Sequence, residues 1–241
     1  MLMSNPSIAF MPTISERLQQ LRADIQRAEH AAQRPADSVK LLAVSKTRGI
    51  QELREAIAAG QTAFGESYVQ EALDKIVALA DVPLEWHFIG PIQSNKTAQI
   101  AAHFNWVHSV DRLKIAQRLN DQRGDRAPLN ICIQVNTSGE ASKAGAQETE
   151  LVTLAESIRQ LPRLRLRGLM AIPAPESDPI KQHAAFRRLK NYLDRLNNLN
   201  MELDTLSMGM SNDFEAAIAE GATIVRIGTA IFGPRIPKHK H

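Results

Sequence analysis

The sequence is poor in the features that mark secreted and membrane proteins. Its 241 residues include a single cysteine, Cys132, so an intrachain disulfide cannot form and an oxidising compartment is not indicated. No stretch approaches the ~18 apolar residues of a membrane helix. No basic residue precedes Arg17, which argues against a secretory signal. We therefore expect a soluble cytoplasmic protein that does not bind membranes.

Aromatic residues and an excess of one charge are also scarce. Phe, Trp and Tyr together make up 5% of the chain, and the formal net charge is +3 at pH 7. Nucleic-acid binding is typical of a basic face interleaved with aromatic residues. Lysine and arginine are instead spread along the whole chain, so we expect no nucleic-acid partner.

Familiar catalytic and metal-binding motifs are missing as well. The seven histidines form no HExxH or paired ligand spacing, so no metal site is predicted. There is no GxSxG elbow, no P-loop and no GxGxxG after the first apolar run. His87 alternates with Trp86 and Phe88, and we interpret it as a hydrogen-bonded structural residue rather than a catalytic one. Cys132, in the apolar run LNICIQV, is interpreted as a small buried hydrophobe.

What is present is a regular alternation of apolar runs and helix-like stretches from residue 40 to 233. A crossover between parallel strands needs a helix, so this alternation predicts a parallel α/β sheet. Eight strand–helix units, in a chain close to the ~250 residues of an α/β barrel, favour a single (β/α)8 TIM-type barrel over an open doubly wound sheet. The strands are predicted at residues 39–46, 62–67, 85–90, 105–110, 129–137, 163–172, 203–209 and 223–233.

The domain organisation follows from the same pattern. We expect one domain over residues 1–241, because no Pro-, Gly- or Ser-rich linker interrupts the chain. The barrel core covers about residues 39–235. Residues 13–31 have an amphipathic pattern and predict an extra N-terminal helix before the barrel. The helix after the eighth strand is expected to be absent or very short.

Lys46 ends the first predicted strand, and barrel proteins place their sites at the carboxyl ends of the strands. Period-two alternation puts Leu42, Val44 and Lys46 on one face of that strand. If this face is internal, the ammonium group reaches the barrel mouth, where apolar surroundings favour the neutral amine that Schiff-base chemistry needs. A snorkelling surface lysine fits the same letters, so position alone leaves both interpretations open.

The segment SMGMSND (207–213) joins the seventh predicted strand to a helix. Gly209 permits a tight turn, and Ser207 and Ser211 offer hydroxyl groups. Ser211 or Asn212 is a candidate cap for that helix, whose free N–H groups are able to hold an anion. A simple capped turn without a ligand is equally compatible with the letters.

The segment VRIGTAIFG (225–233) supplies the eighth predicted strand, with Arg226 and Gly228 on one face. A buried guanidinium needs an acceptor. Gly228 would let a ligand approach backbone N–H groups, and Thr229 adds a hydroxyl. Because barrels often bind phosphate with the loops after strands seven and eight, the segments at 207–213 and 225–233 form a candidate phosphate site. Arg226 beside it is alternatively placed to meet a heteroaromatic nitrogen.

Six motifs between about residues 39 and 235 match a known family when they are taken together. They are AVSKT (43–47), FGESYVQE (64–71), WHFIGPIQSNK (86–96), VNTSGEASKAG (135–145), GLMAIPAP (168–175) and SMGMSNDFEAAIAEGATIVRIGTAIFG (207–233). On these motifs the chain resembles the YggS/PROSC family, the pyridoxal phosphate homeostasis proteins. That family is similar to the N-terminal barrel of alanine racemase.

The resemblance implies a fold type III barrel that binds pyridoxal 5′-phosphate (PLP). It implies that Lys46 carries this cofactor as a Schiff base and that Arg226 faces its pyridine nitrogen. The remaining cofactor-binding positions implied by the family are the phosphate-binding Ser211, Gly228 and Thr229, with Ser207 in the same shell.

The chain departs from the family pattern at two places. Ser67 stands where the family usually has asparagine, which puts the polar lining near the second strand in doubt. Ala222 stands where the family has serine, at the start of the last strand and far from the mouth. Tyr68 and Asn95 belong to family motifs, but we assign them no direct contact.

Two arguments favour a carrier over an enzyme. Alanine racemase adds a second domain whose tyrosine acts opposite its lysine, whereas only Lys46 is evident here as an acid/base group. A fixed positive charge at Arg226 would also disfavour ring protonation and weaken the cofactor as an electron sink. We therefore expect PLP homeostasis, with no catalytic residue and with apo-forms of PLP-dependent enzymes as recipients. The resemblance suggests a monomer.

Two alternatives stay open at this point. One is a minimal PLP-dependent amino-acid racemase built on the same Lys46. The other is a lysine-dependent aldolase that uses no cofactor at all.

Overall fold

The computed structural model describes residues 12–137, 144–174 and 176–234. Parts of two family motifs, residues 138–143 and Pro175, lie outside the described residues, as does the predicted end of the barrel core at residue 235. The single domain over residues 1–241 therefore stays a prediction.

Within the described residues, eight parallel strands close into a barrel in which each strand pairs with the next along the chain and the last pairs with the first. This confirms the predicted (β/α)8 fold. The strands are β1 Lys40–Val44, β2 Ala63–Glu66, β3 Glu85–Phe88, β4 Trp106–Val110, β5 Leu129–Gln134, β6 Leu164–Met170, β7 Thr205–Ser207 and β8 Ile224–Ile227.

Helices follow the strands and cover the barrel wall, as right-handed crossovers between parallel strands require. They are α1 Ile14–Ala31, α2 Ile50–Ala58, α3 Val69–Ala78, α4 Thr97–His103, α5 Leu113–Gln122, α6 Leu151–Arg159, α7 Pro179–Asn197, α8 Phe214–Ala219 and α9 Thr229–Phe232. The four-residue α9 is too short to cover a strand. This confirms the expectation of a very short final helix.

The extra helix α1 compensates for the short α9. Its N-cap residue is Thr13, whose side chain and that of Glu16 cap each other's backbone. Its apolar stripe, with Leu18 and Leu21 buried, packs against α2, α8 and α9. Helix α1 therefore covers the junction of β8 and β1, where a full eighth helix would otherwise lie.

The two faces of the barrel wall have different partners. Leu42 in β1 lies beside Arg226 in β8, so both side chains point to the same face. Leu42 packs with Ala63 and Ile224 in a small cluster that is separate from the large core between wall and helices. These residues therefore fill the barrel interior.

Cys132 is fully buried with Trp106 and Met170 in a separate interior cluster. Burial raises the pKa of its thiol to about 12, so the thiol stays protonated at neutral pH. The interpretation of Cys132 as a small buried hydrophobe is confirmed.

The predicted strand over 223–233 is wrong in its second half. The strand ends at Ile227, and Gly228 turns the chain into α9 with φ −116° and ψ −67°. A Cβ atom at Gly228 would lie 3.2 Å from the carbonyl oxygen of Val44. Glycine therefore lets the start of α9 approach β1 closely, and apolar letters alone do not reveal this turn.

The predicted cap of the next-to-last helix is wrong as well. Helix α8 begins at Phe214 with Asp213 as its N-cap residue, so neither Ser211 nor Asn212 caps it. The chain uses the intervening residues to close the turn after β7 instead.

Two findings bear on function class. No helix in the described ranges is long and apolar enough to cross a membrane. In the same ranges, no group of three or more His, Cys, Asp or Glu side chains is arranged to hold a metal ion.

Candidate functional site at the barrel mouth

A cavity of about 670 Å³ opens at the carboxyl ends of the strands. Its volume lies within the ~300–1,000 Å³ of small-molecule sites. Five of the six predicted cofactor-binding residues border it: Lys46, Ser211, Arg226, Gly228 and Thr229. The residues come from neighbouring strands and the loops that follow them, since β8 pairs with both β7 and β1.

Arg226 is held inside the barrel by two acceptors. The residue is 4% exposed. Its Nη1 donates to Ser207 Oγ at 2.9 Å, and its Nη2 donates to the carbonyl oxygen of Ala171 at 2.9 Å. Burial lowers the pKa of Arg226 to about 10, so the guanidinium still carries its charge at neutral pH. A fixed cation therefore borders the cavity.

Ser207, the sixth predicted residue, continues from Arg226 into hydrogen bonds that cross the barrel interior. Ser207 Oγ lies 2.7 Å from His108 Nδ1, and His108 Nε2 lies 2.8 Å from His87 Nδ1. His87 Nε2 lies 2.5 Å from Glu85 Oε1, the first residue of β3 at the opposite end of the barrel. Ser207 is therefore fully buried beneath the cavity and is not among the described residues that line it.

The direction of each proton in this chain follows from its two ends. Arg226 is only a donor, so the Ser207 hydroxyl hydrogen is free for His108; ionised Glu85 is only an acceptor, so His87 presents an N–H to it. His108 then donates to His87, and both rings are neutral. Burial lowers the pKa of His87 and, further, that of His108, and the hydrogen bond from His87 lowers the pKa of Glu85 to about 2. We call this set the inner chain: Arg226, Ser207, His108, His87 and Glu85.

A second polar network lies on the other side of the barrel wall, behind Lys46. Glu71 and Lys75 are four residues apart on α3, so both face β1 and β2. Lys75 Nζ lies 2.6 Å from Glu71 Oε1 and 2.7 Å from Glu66 Oε1. Burial raises the pKa of Glu66, and the Lys75 ammonium opposes that rise. We call this set the outer cluster: Ser45, Glu66, Glu71 and Lys75.

The loops after β7 and β8 form one wall of the cavity. Gly209 has φ +92°, and a Cβ there would lie 2.6 Å from Ala217 Cβ, so this turn requires glycine. Ser211 Oγ accepts from the backbone N–H of Ala230 at 3.4 Å. The hydroxyl therefore lies beside the first turn of α9, where backbone N–H groups lack intrahelical partners.

Sequence reasoning missed several residues that line the cavity. They are Arg48, Ile89, Ile172, Glu176, Ser177, Gln182, Met210, Asn212 and Asp213. The last three belong to the 207–213 segment that was already a candidate, so their place in the loop was the available signal. Nothing in the letters distinguishes Glu176 and Ser177 from a solvated loop.

The family positions left unassigned lie elsewhere. Ser67, Tyr68 and Asn95 are not among the described residues that border the cavity, and Tyr68 is 56% exposed. Ala222 is buried at the amino end of β8, where its carbonyl oxygen accepts from Arg34 Nη1 at 2.6 Å. Neither the Ser67 nor the Ala222 departure therefore falls on a residue that borders the cavity.

Comparison with known proteins agrees with the barrel fold. The family profile described as "Alanine racemase, N-terminal domain" matches residues 17–236. A relative from Pseudomonas aeruginosa, named "Pyridoxal phosphate homeostasis protein", is 62% identical over 226 residues, which cover 93% of this chain and 97% of the relative. The solved structure of PipY from Synechococcus elongatus "with PLP bound" is 38% identical with a TM-score of 0.81, and the match covers 92% of this chain and 100% of that one.

A more distant likeness concerns the fold alone. Alanine racemase from Corynebacterium glutamicum is 19% identical with a TM-score of 0.66. The match covers 93% of this chain but 63% of the racemase. The shared part is the barrel.

Proposed function

The chain belongs to the pyridoxal phosphate homeostasis proteins of the alanine racemase N-terminal domain family, and on that premise we propose that it binds PLP at its barrel mouth and holds it on Lys46. The observation that carries the proposal is the single cavity wall shared by Lys46, Arg226 and the Ser211–Thr229 corner. An amine, a fixed cation and a hydroxyl-lined turn thus meet in one place.

The residues around the cavity fit the chemical groups of this cofactor. When bound, PLP supplies an aldehyde that condenses with a primary amine to form a Schiff base. Lys46 provides the amine. The Ser211 and Thr229 hydroxyls and the first turn of α9 provide donors of the kind that hold phosphate. Each of these contacts with the cofactor is part of the proposal.

Arg226 favours a protein that carries the cofactor over an enzyme that uses it. Its guanidinium is charged at neutral pH and is fixed by Ser207 and Ala171. A fixed cation facing the ring nitrogen disfavours ring protonation, which weakens the cofactor as an electron sink. We therefore propose a carrier that keeps the reactive aldehyde from cellular amines and thiols, in line with the name of the 62%-identical relative.

The experiment that tests this function is an absorbance spectrum of the protein saturated with PLP, followed by borohydride reduction and peptide mapping. Wild type should show a visible band and a reduced adduct on Lys46. Lys46→Ala should lose both, whereas Lys114→Ala, at an exposed lysine on α5, should keep both. A band and adduct that survive in Lys46→Ala would contradict the proposal.

A second candidate, the minimal amino-acid racemase, gains one observation from the structure. The carboxyl groups of Glu176 and Asp213 border the same cavity as Lys46, so acid/base groups beyond the lysine are present. Asp213 Oδ1, however, accepts from the Met210 backbone N–H at 2.5 Å and thereby closes the loop. Exchange of the α-hydrogen of any amino acid in deuterated water by the loaded protein would establish this candidate.

The proposal extends to delivery and to cellular context. We propose that a monomer in the cytoplasm passes PLP to apo-forms of PLP-dependent enzymes. Loaded protein should then reactivate an apo-enzyme in the presence of an excess of an amine that traps free PLP. Fractionation and sedimentation would check the compartment and the oligomeric state.

A further inference from the structure

We propose that Lys75 is a positioning residue for Lys46, which it orients by fixing, with Glu66 and Glu71, the peptide groups on both sides of that lysine. This rests on the proposed function, since the orientation matters only if Lys46 is the residue that holds the cofactor.

Lys75 is built into the space between α3 and the barrel wall. It is 3% exposed, and its ammonium has three protons to donate. All three have acceptors: the carbonyl oxygen of Ser45 at 2.7 Å, Glu66 Oε1 at 2.7 Å and Glu71 Oε1 at 2.6 Å. A buried ammonium with this geometry has little freedom to move.

Two of these acceptors connect Lys75 to the backbone at Lys46. The Ser45 carbonyl belongs to the peptide plane before Lys46, and Lys75 holds it directly. The Thr47 N–H belongs to the peptide plane after Lys46, and it donates to Glu71 Oε1 at 2.5 Å. Two fixed peptide planes determine φ and ψ of the residue between them, and hence the direction in which the Lys46 side chain leaves the backbone.

Glu66 adds a third attachment on the same side. Its Oε1 accepts from Ser45 Oγ at 2.6 Å as well as from Lys75. Its Oε2 is buried without a hydrogen-bond partner among the residues that the structure describes. Glu66 thus has hydrogen-bond partners on one oxygen only. Lys75 is the cation that offsets the cost of burying this carboxylate.

The backbone after Lys46 is in an unusual conformation that needs support. We call the contacts of Lys75, Glu66 and Glu71 with residues 45 and 47 the clamp. Thr47 has φ +66°, a region that β-branched residues rarely adopt. Such a residue persists where its surroundings over-determine it, and such residues gather at ligand sites. The Glu71 carboxylate accepts from the Thr47 N–H and supports this conformation.

A purely structural role is the competing explanation, in which the outer cluster only fastens α3 to the wall. The two explanations differ at Thr47. If the clamp maintains a strained residue for the sake of Lys46, then a residue that accepts positive φ without strain should replace part of the clamp. Glycine is such a residue.

The experiment compares Glu71→Leu with Glu71→Leu/Thr47→Gly. Glu71 is partly exposed, so its replacement is compatible with folding, and circular dichroism checks this. The PLP dissociation constant, from absorbance titration, should rise about tenfold in Glu71→Leu, the loss expected for one charge-assisted hydrogen bond. Thr47→Gly in that background should recover at least half of the loss on a logarithmic scale. Lys75→Met should match or exceed the loss in Glu71→Leu.

Two matched variants complete the design. Lys190→Met removes an exposed lysine from an i,i+4 pair on α7, and Asn200→Gly relieves another residue at positive φ far from the cavity. Neither should change the dissociation constant. A folded Glu71→Leu protein within twofold of wild type, or a loss that Thr47→Gly does not reduce, would overturn the proposal.

A second measurement separates this proposal from the proposed function. Amide hydrogen exchange at Thr47 in the PLP-free protein should accelerate at least about tenfold in Glu71→Leu, because the amide loses its acceptor. If wild type forms no adduct on Lys46, the proposed function fails while this exchange result still reports the clamp. Unchanged exchange at Thr47 would overturn the clamp even if the adduct forms.

Discussion

The inner chain and the outer cluster lie on opposite faces of the same barrel wall and hold the two ends of one site. The outer cluster is ionic: Lys75 is enclosed by Glu66 and Glu71. The inner chain has its charges at its ends, Arg226 and Glu85, with neutral groups between them. The outer cluster contacts the backbone on each side of Lys46. The inner chain contacts the side chain of Arg226 itself.

This difference follows from what each target has to do. If Lys46 holds the cofactor as proposed, its amine must stay available to react, and its direction is then set through the peptide groups beside it. Arg226 only needs to present a charge, so its guanidinium is itself tied to Ser207 and Ala171. The difference predicts that the two networks respond unequally to mutation and to acid.

The largest effect is expected from breaking the outer cluster at its cation. Lys75→Met leaves Glu66, which is fully buried, without its positive partner, and removal of one member of a buried ion pair costs about 3–5 kcal/mol. The free energy of unfolding from guanidinium denaturation measures this. Adding Glu66→Leu should recover more than half of the loss, because no uncompensated carboxylate then remains. A loss below about 1 kcal/mol in Lys75→Met would show that the cluster is not the ionic support described here.

A smaller loss is expected from breaking the inner chain in its middle. Ser207→Ala removes the acceptor of Arg226 Nη1 and the donor to His108 Nδ1, and each unsatisfied buried group costs about 1–3 kcal/mol. We expect a loss of about 2–3 kcal/mol in the free energy of unfolding. Ser157→Ala on α6, whose hydroxyl donates to the Thr153 carbonyl, should lose about 0.5 kcal/mol or less. Equal losses in the two variants would contradict a larger contribution of Ser207 to stability.

Acid should lower the free energy of unfolding through the two histidines of the inner chain. The pKa values of His87 and His108 are lowered in the fold by burial, so below about pH 6.5 the unfolded chain binds protons that the folded chain does not. The contribution of the two neutral histidines to the free energy of unfolding is therefore complete above pH 6.5. It falls as the pH drops, by about 1.4 kcal/mol per pH unit for each histidine. Glu85, with a pKa of about 2, contributes nothing to this dependence between pH 6.5 and 5.5.

Denaturant titrations at pH 7.5, 6.5 and 5.5 measure this dependence. His108→Gln should reduce the slope by about one proton, whereas His103→Gln, at an exposed position on α4, should leave the slope as it is. A wild-type slope near zero between pH 6.5 and 5.5 would contradict the neutral inner chain.

The smallest effect is expected at a surface pair that resembles the outer cluster only in its spacing. Lys190 and Asp194 are an i,i+4 pair, like Glu71 and Lys75, but their side chains are 39% and 50% exposed. Lys190→Ala should change the free energy of unfolding by less than about 0.5 kcal/mol, and 1 M salt should abolish the change. A loss comparable to that of Lys75→Met would show that burial is not what separates the two pairs.

The fold and five of the residues that border the cavity were predictable from the sequence, for identifiable reasons. Alternation of apolar and helical stretches is imposed by a wall covered on both faces, so the eight strands were readable. Lys46 and Arg226 were readable because charged residues at the ends of apolar strands stand out against their neighbours.

What stayed hidden depends on contacts between distant residues. Lys75 looks like any lysine on an amphipathic helix, and its burial follows only from how α3 lies on β1 and β2. His87 was recognised as a structural candidate, but its partner His108 sits one strand away, 21 positions along the chain. The positive φ of Thr47 has no sequence signal, since neither glycine nor asparagine stands there.

The position of α1 has a consequence for how the molecule assembles. Arg17 on α1 donates to the Ile231 carbonyl, 214 positions away, and Arg34, just past the helix, donates to the Ala222 carbonyl, 188 positions away. Contacts of such separation slow folding. During synthesis, the apolar stripe of α1 is made nearly a whole barrel before its partners α8 and α9. Helix α1 can pack on α2 early, but it reaches its full set of contacts only when α8 and α9 have been made.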